Sequence, residues 1–274
     1  MRYAICNETF EGWDHARICR TAAELGYTGL EVAPFTLAPR ITDVTGAQRQ
    51  KLRAEAESAG IQIIGLHWLL AKTERLQLTS PDAAVRQRTA DYLVELAKAC
   101  RDMGGDLMVF GSPVQRKIPA GATREQAVEL ATDCFKRALN GIVDAGVRLC
   151  LEPLAPTEAD FIQTAAEACE ILDRIKHPNF VLHLDVKAMS SETTPIPELI
   201  RQHAARTGHF HANDANRRGP GFGAVDFVPI FRALQETKYA GWVSVEVFDY
   251  TPDPVTIARD SIRYMRECEA RLPV

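Results

Sequence analysis

The chain is short of several things, and each shortage closes off a class of protein. Its 7 cysteines, Cys6, Cys19, Cys100, Cys134, Cys150, Cys169 and Cys268, are scattered, odd in number and never spaced as CxxC. A disulfide framework or a zinc ribbon is therefore not expected, and reduced thiols of a cytoplasmic protein are. No apolar run approaches the roughly 20 residues needed to span a bilayer, so no membrane partner is expected. The opening MRYAICNETF lacks a basic stretch followed by a long apolar one, and predicts no secretory leader. Positive charge is not in excess: Lys and Arg number 32, Asp and Glu 36, for a net charge of −4. That argues against a nucleic-acid partner. Low-complexity segments, linkers and sequence repeats are absent, which predicts a single domain over 1–274.

What is present is a regular alternation. Short apolar stretches recur at Tyr3–Cys6, Gly29–Ala33, Ile61–His67, Leu107–Phe110, Arg148–Glu152, Phe180–Asp185, His209–His211 and Trp242–Glu246. Helical stretches lie between them. Their start signals are Ser80-Pro81, a capping box at Thr123 to Gln126, Asp226, and Asp253-Pro254. Gly26, Gly60, Gly104 and Gly146 stand where helices should stop. Short apolar strands alternating with helices predict a parallel α/β sheet. A count of eight, in 274 residues, favours a (β/α)8 TIM barrel over an open doubly wound sheet.

Four residues of metal-ligand type each end one of these strands: Glu152, Asp185, His211 and Glu246. Their spacings of 33, 26 and 35 residues match consecutive βα units. A barrel keeps its active site at the C-terminal ends of its strands. Two Glu, one Asp and one His form a hard, oxygen-rich set. It suits one divalent metal ion, Mn2+ or Mg2+ ahead of Co2+ or Zn2+. Alternation along the strands places Cys150, His183, His209 and Ser244 in a layer below, where the two histidines read as supporting groups rather than ligands. His67 and Trp68 end the third strand; Trp68 reads as a wall for a sugar ring or as a core aromatic, and His67 as a group that could hydrogen-bond substrate. Asn7, Glu8 and Glu31 are weaker candidates. Long connections at 111–123, 153–162 and 212–225 should shape the pocket. Within the last, Gly219-Pro220-Gly221-Phe222-Gly223 lacks the Lys-Ser/Thr of a phosphate loop and reads as a mobile cover.

The chain resembles the xylose-isomerase-like barrel superfamily of sugar isomerases and epimerases, in particular its ketose 3-epimerases of the D-tagatose 3-epimerase type. The motifs that carry the resemblance are Leu151-Glu152-Pro153-Leu154 with Glu158 and Asp160-Phe161, then His183-Leu184-Asp185, then His211 with Asn216-Arg217, and Ser244-Val245-Glu246 with Phe248. The resemblance implies one divalent ion held by Glu152, Asp185, His211 and Glu246. It implies proton exchange with substrate by Glu152 and Glu246, and substrate contacts from Glu158, Arg217 and Phe248. The implied reaction moves a proton at a carbon alpha to the carbonyl of a keto-sugar or keto-polyol, through an enediolate. One departure stands out. The epimerases carry a His three residues after the sixth-strand Asp, and here that position is Ala188. Lys187 lies beside it and would share the face of Asp185 if the strand continued. It could bind a substrate oxygen, stabilise an enolate, or be a plain surface lysine. The departure keeps a second reading open, a lyase or dehydratase on a keto-sugar or 3-keto-glycoside. A third, an endonuclease-like DNA repair enzyme of the same fold, fits the net charge of −4 poorly. The expected partner is thus a small sugar, with a homo-oligomer allowed.

Overall fold

The computed structural model describes residues 1–273. Eight parallel strands close a barrel in sequence order, β1 pairing with β8. They are β1 (Arg2–Cys6), β2 (Gly29–Val32), β3 (Gln62–Leu66), β4 (Leu107–Phe110), β5 (Arg148–Leu151), β6 (Phe180–Asp185), β7 (Thr207–Ala212) and β8 (Trp242–Val245). The (β/α)8 TIM barrel expected from the sequence is the fold. Each expected strand is present, with ends within a residue or two. Glu152 and Glu246 fall one position past their strands, with their N–H groups still bonded to Phe110 and Ala212 carbonyls.

The outer ring consists of α1 (His15–Leu25), α2 (Gly46–Ser58), α3 (Ala83–Asp102), α4 (Arg124–Asp144), α5 (Ala165–Ile175), the short α6 (Val186–Met189), α7 (Ile196–His203), α8 (Phe227–Glu236) and α9 (Pro254–Ala270). Thr123 caps α4 in a reciprocal capping box with Gln126, and Asp226 and Asp253 cap α8 and α9. The Ser80 start signal is two residues early. Ser80 Oγ accepts from the N–H of Asp82, and Asp82 is the residue that caps α3. The chain makes a side-chain turn there before it becomes helical.

The main core lies between strands and helices, where Phe110, Phe135 and Phe180 pack in sequence. Inside the barrel the filling is layered. Ala4, Ile64, Leu107, Val109, Cys150 and Trp242 form an apolar plug at the N-terminal end. Gly29 admits this plug, since a Cβ there would collide with Ile64, Ala4 and Trp242. Above the plug the inward positions become polar: Cys6, Glu31, His183, His209 and Ser244, all fully buried. β6 and β7 set His183 beside His209 and Asp185 beside His211 in their register. The predicted layer of His183, His209 and Ser244 beneath the candidate ligands follows from that alternation, whereas Cys150, expected in the same layer, packs in the apolar plug.

Candidate functional site

The last four strands, β5 to β8, each deliver one candidate ligand to the C-terminal mouth. Glu152, Asp185 and His211 offer ligand atoms within 4.8 Å of one another, and His183 belongs to the same group. Glu246 reaches it through His211, with Oε2 3.1 Å from Nδ1. Expected as a supporting group, His183 is thus placed among the candidate ligands. Both its ring nitrogens are buried and without a partner, and burial, then the imidazoles of His211 and His209, hold it neutral.

Neighbouring groups hold the cluster in place. Asp185 accepts from Asn213 Nδ2 at 2.6 Å and from the N–H of Ala188 at 2.7 Å. The strand therefore stops at Asp185, which caps the single turn of α6; it does not continue to Lys187 as the shared-face argument supposed. Trp68 donates its indole N–H to Glu246 Oε1 at 2.7 Å. His211 Nε2 faces Glu31 at 3.1 Å, and His209 Nε2 meets the same carboxylate at 2.8 Å. Burial alone would raise the Glu31 carboxyl, but His211 and His209 outweigh it and hold it well below the usual range. An ionised Glu31 keeps a proton on His211 Nε2 and leaves Nδ1 to face the acidic cluster.

The two glutamates are pushed apart. Burial, with the charges of Glu246 and Asp185, raises Glu152 well above the ordinary carboxylate value. Burial also opposes ionisation of Glu246, but His211 beside it outweighs that and lowers it. One carboxyl is thus biased to hold a proton and the other to accept one.

The sequence reading missed two residues. Arg116 is fully buried and donates to the backbone carbonyls of Glu152 and Phe110 at 2.6 and 2.7 Å, clamping the ends of β5 and β4. Asn213 ties Asp185 to the N–H of Lys187. Asn213 directly follows β7 and Arg116 lies further along the β4 exit loop, positions at which polar residues are common.

The mouth is walled by Trp68 stacked on Phe248, ring centres 5.9 Å apart. Lys187 Nζ sits 4.0 Å over Phe248 and bonds Glu158 at 2.5 Å; the Arg217 guanidinium lies 5.9 Å from the same ring. Lys187 is 8% exposed, so it is not a surface lysine. Burial would lower it, but Asp185 and Glu158 keep it a charged ammonium. His67, expected to touch substrate, is fully buried, with Nε2 2.7 Å from Glu8 and a ring nitrogen within 4.8 Å of carboxylate oxygens of Glu8 and Glu246. Beside Trp68 opens a cavity of about 480 Å³ lined by Phe10, Trp13, Phe35 and Tyr250. In the glycine-rich segment Asn216 Nδ2 donates to the Phe222 carbonyl, and the N–H of Val225 donates to Asp214.

The family described as "Xylose isomerase-like TIM barrel" matches residues 19–268, and the chain belongs to it. A D-psicose 3-epimerase of Ruminiclostridium cellulolyticum is 29% identical over 254 residues, 90% of this chain and 82% of its own. A crystal structure of D-psicose 3-epimerase in the presence of D-fructose superposes with a TM-score of 0.86 at 22% identity, covering 98% and 99% of the two chains. Apo 3-keto-D-glucoside 4-epimerase of E. coli superposes at 0.83 with 19% identity, covering 98% and 100%. The two superpositions bear on the fold. With relatives of this kind, the chain is an enzyme of the isomerase and epimerase type. No described helix is long and apolar enough to cross a membrane.

Proposed function

We propose that the chain is a divalent-metal-dependent epimerase or isomerase that moves a proton at the carbon beside the carbonyl of a keto-sugar or keto-polyol. The observation that carries this reading is the convergence of Glu152, Asp185, His211 and Glu246 at one end of the barrel, with two carboxyls biased in opposite senses. The donor set fits such an ion. Three buried carboxylates share a small volume and need a countercharge, and the imidazole that joins them presents Nδ1. Glu152, Asp185, His211 and Glu246 would hold it, with His183 close enough to enter the set. When bound, a divalent ion would polarise the substrate carbonyl and acidify the adjacent C–H. Oxygen donors outnumber nitrogen, which favours Mn2+ or Mg2+ over Zn2+ or Co2+.

Glu246 takes the proton and Glu152 returns one from the other side, which inverts the carbon. Trp68 and Phe248 form the sugar-facing wall, and the Lys187 ammonium with its partner Glu158 binds substrate oxygens, with Arg217 at the rim. Incubation with Mn2+ and a panel of ketoses, inososes and 3-keto-glycosides in D2O tests the reaction. Deuterium should enter one carbon beside the carbonyl of the true substrate, and no incorporation across the panel sinks the proposal.

A second reading keeps the same centre and changes the substrate to a 3-keto-glycoside. It is favoured by Ala188 in place of the epimerase histidine and by the aromatic cavity beside Trp68, which has room for a group attached to the sugar. Lys187→Met separates the two. A loss of turnover confined to keto-glycosides supports this reading, and equal loss on free ketoses opposes it.

A further inference from the structure

Below the mouth, on the side formed by β1, β2 and β3, a second group of donors converges, none of which the proposed reaction places on substrate or on the first ion. Cys6 ends β1, Glu31 stands in β2 and His67 follows β3. The Cys6 sulfur, a Glu31 oxygen and a His67 ring nitrogen lie within 4.8 Å of one another, and all three residues are fully buried. His67 Nε2 is engaged by Glu8 Oε2 at 2.7 Å. Its Nδ1 is buried and has no partner. The nearest Glu31 oxygen is 3.9 Å away, too far for a hydrogen bond. Burial would lower His67, but Cys6 and Glu8 outweigh it and hold the imidazole well above its usual value; a bound cation would displace the Nδ1 proton, so that the ring donates from Nε2 to Glu8 and presents its lone pair at Nδ1. That is the arrangement behind most metal-bound histidines, where an outer carboxylate fixes the tautomer and raises basicity.

We propose that Cys6, Glu31 and His67 form a second metal site, distinct from the four-ligand centre, that takes a borderline-soft divalent ion of the zinc type. The site does not depend on the function proposed above. A thiolate and an imidazole discriminate against Mg2+ and Mn2+, whereas zinc accepts sulfur, nitrogen and one carboxylate oxygen in a tetrahedron. Ser244 Oγ, 3.7 Å from Cys6 Sγ, is the adjacent oxygen for a fourth position. Burial pushes the Cys6 thiol up to about 11, so it stays protonated unless a cation replaces its proton. On binding, the S–H bond of Cys6 and the Nδ1–H bond of His67 break, the sulfur–metal and nitrogen–metal bonds form and both protons leave to solvent, with no change of oxidation state. A closed, fully buried site of this kind is filled as the chain folds. The ion would also fix Glu31, and through it the imidazoles of His209 and His211.

The test uses full-length protein purified from zinc- or cobalt-supplemented cultures. The wild type should contain a second ion by elemental analysis. Its cobalt form should show a near-ultraviolet thiolate-to-metal charge-transfer band. Cys6→Ser should lose both the band and that ion, and His67→Gln should lose the ion. Asp185→Asn should keep the band while weakening the upper site, so failure of this site and failure of the proposed function are distinguishable. A cobalt-loaded wild type without the band overturns the proposal, whatever the variants do. A band that persists in folded Cys6→Ser overturns it as well.

Discussion

At the scale of single residues, the division between Glu152 and Glu246 is the feature with the most chemistry in it. Glu152→Gln and Glu246→Gln should each lower kcat by about 100-fold or more, the usual size of a general acid or base contribution. Because both are candidate ligands, bound metal is measured beside rate, and a variant with full metal and near-normal kcat removes its carboxylate from the proton path. The raised Glu152 also fixes a sign. A proton and a metal ion compete for that carboxylate, so apparent metal affinity should rise with pH from the ordinary carboxylate range up to the elevated value of Glu152. Calorimetric titration at stepped pH checks this, and affinity that is flat or falls contradicts it. The four candidate ligand positions could be read in the sequence because each terminates an apolar run at βα spacing. Arg116 and Asn213 could not, because what they do depends on carbonyls and carboxylates brought near only by barrel closure. The place of His183 beside the candidate ligands was not legible for a similar reason. Its alternation with Asp185 was correct, but how close its ring stands to Glu152 depends on packing across the barrel.

At the scale of elements, the β4 exit shows how tightly backbone and site are joined. Gly111 follows β4, and a Cβ there would overlap Glu152 Oε2. Gly111→Ala should therefore leave the circular dichroism spectrum unchanged and cost roughly 10- to 100-fold in kcat, the penalty of displacing a catalytic group by about 1 Å. Unchanged kcat would mean that Glu152 has room to move without consequence. The strands were recoverable from sequence to within a residue or two, since four- to six-residue apolar runs bounded by Gly or polar residues have few other interpretations. The β6 exit was not. Lys187 was extrapolated along a strand, whereas Asp185 spends one oxygen capping α6 and turns the chain, which brings Lys187 to Glu158 from another direction. A carboxylate before a short helix is ambiguous in sequence between cap and ligand, and here it is placed to be both.

At the scale of the whole molecule, a barrel whose mouth gathers three buried carboxylates should be markedly steadier with its ion than without. At a free Mn2+ concentration near 100 times Kd, binding should stabilise the fold by about 2.7 kcal/mol and raise Tm by roughly 5 °C. Thermal melts with chelator and with Mn2+ measure the difference, and coincident melts would deny specific binding. The closed eight-stranded architecture was readable because its unit repeats; the way one half of it supports the other was not. Glu31 comes from β2, yet it meets His209 and His211 of β7 across the barrel axis. The half carrying β5 to β8 holds all four candidate ligands but lacks the carboxylate that sets the tautomer of its own histidine. A fragment carrying only that half would keep the donor set and lose its preorganisation. Supplying β1 to β4 as a separate chain should restore it only if that chain brings Glu31, so the two halves of this barrel are not interchangeable parts.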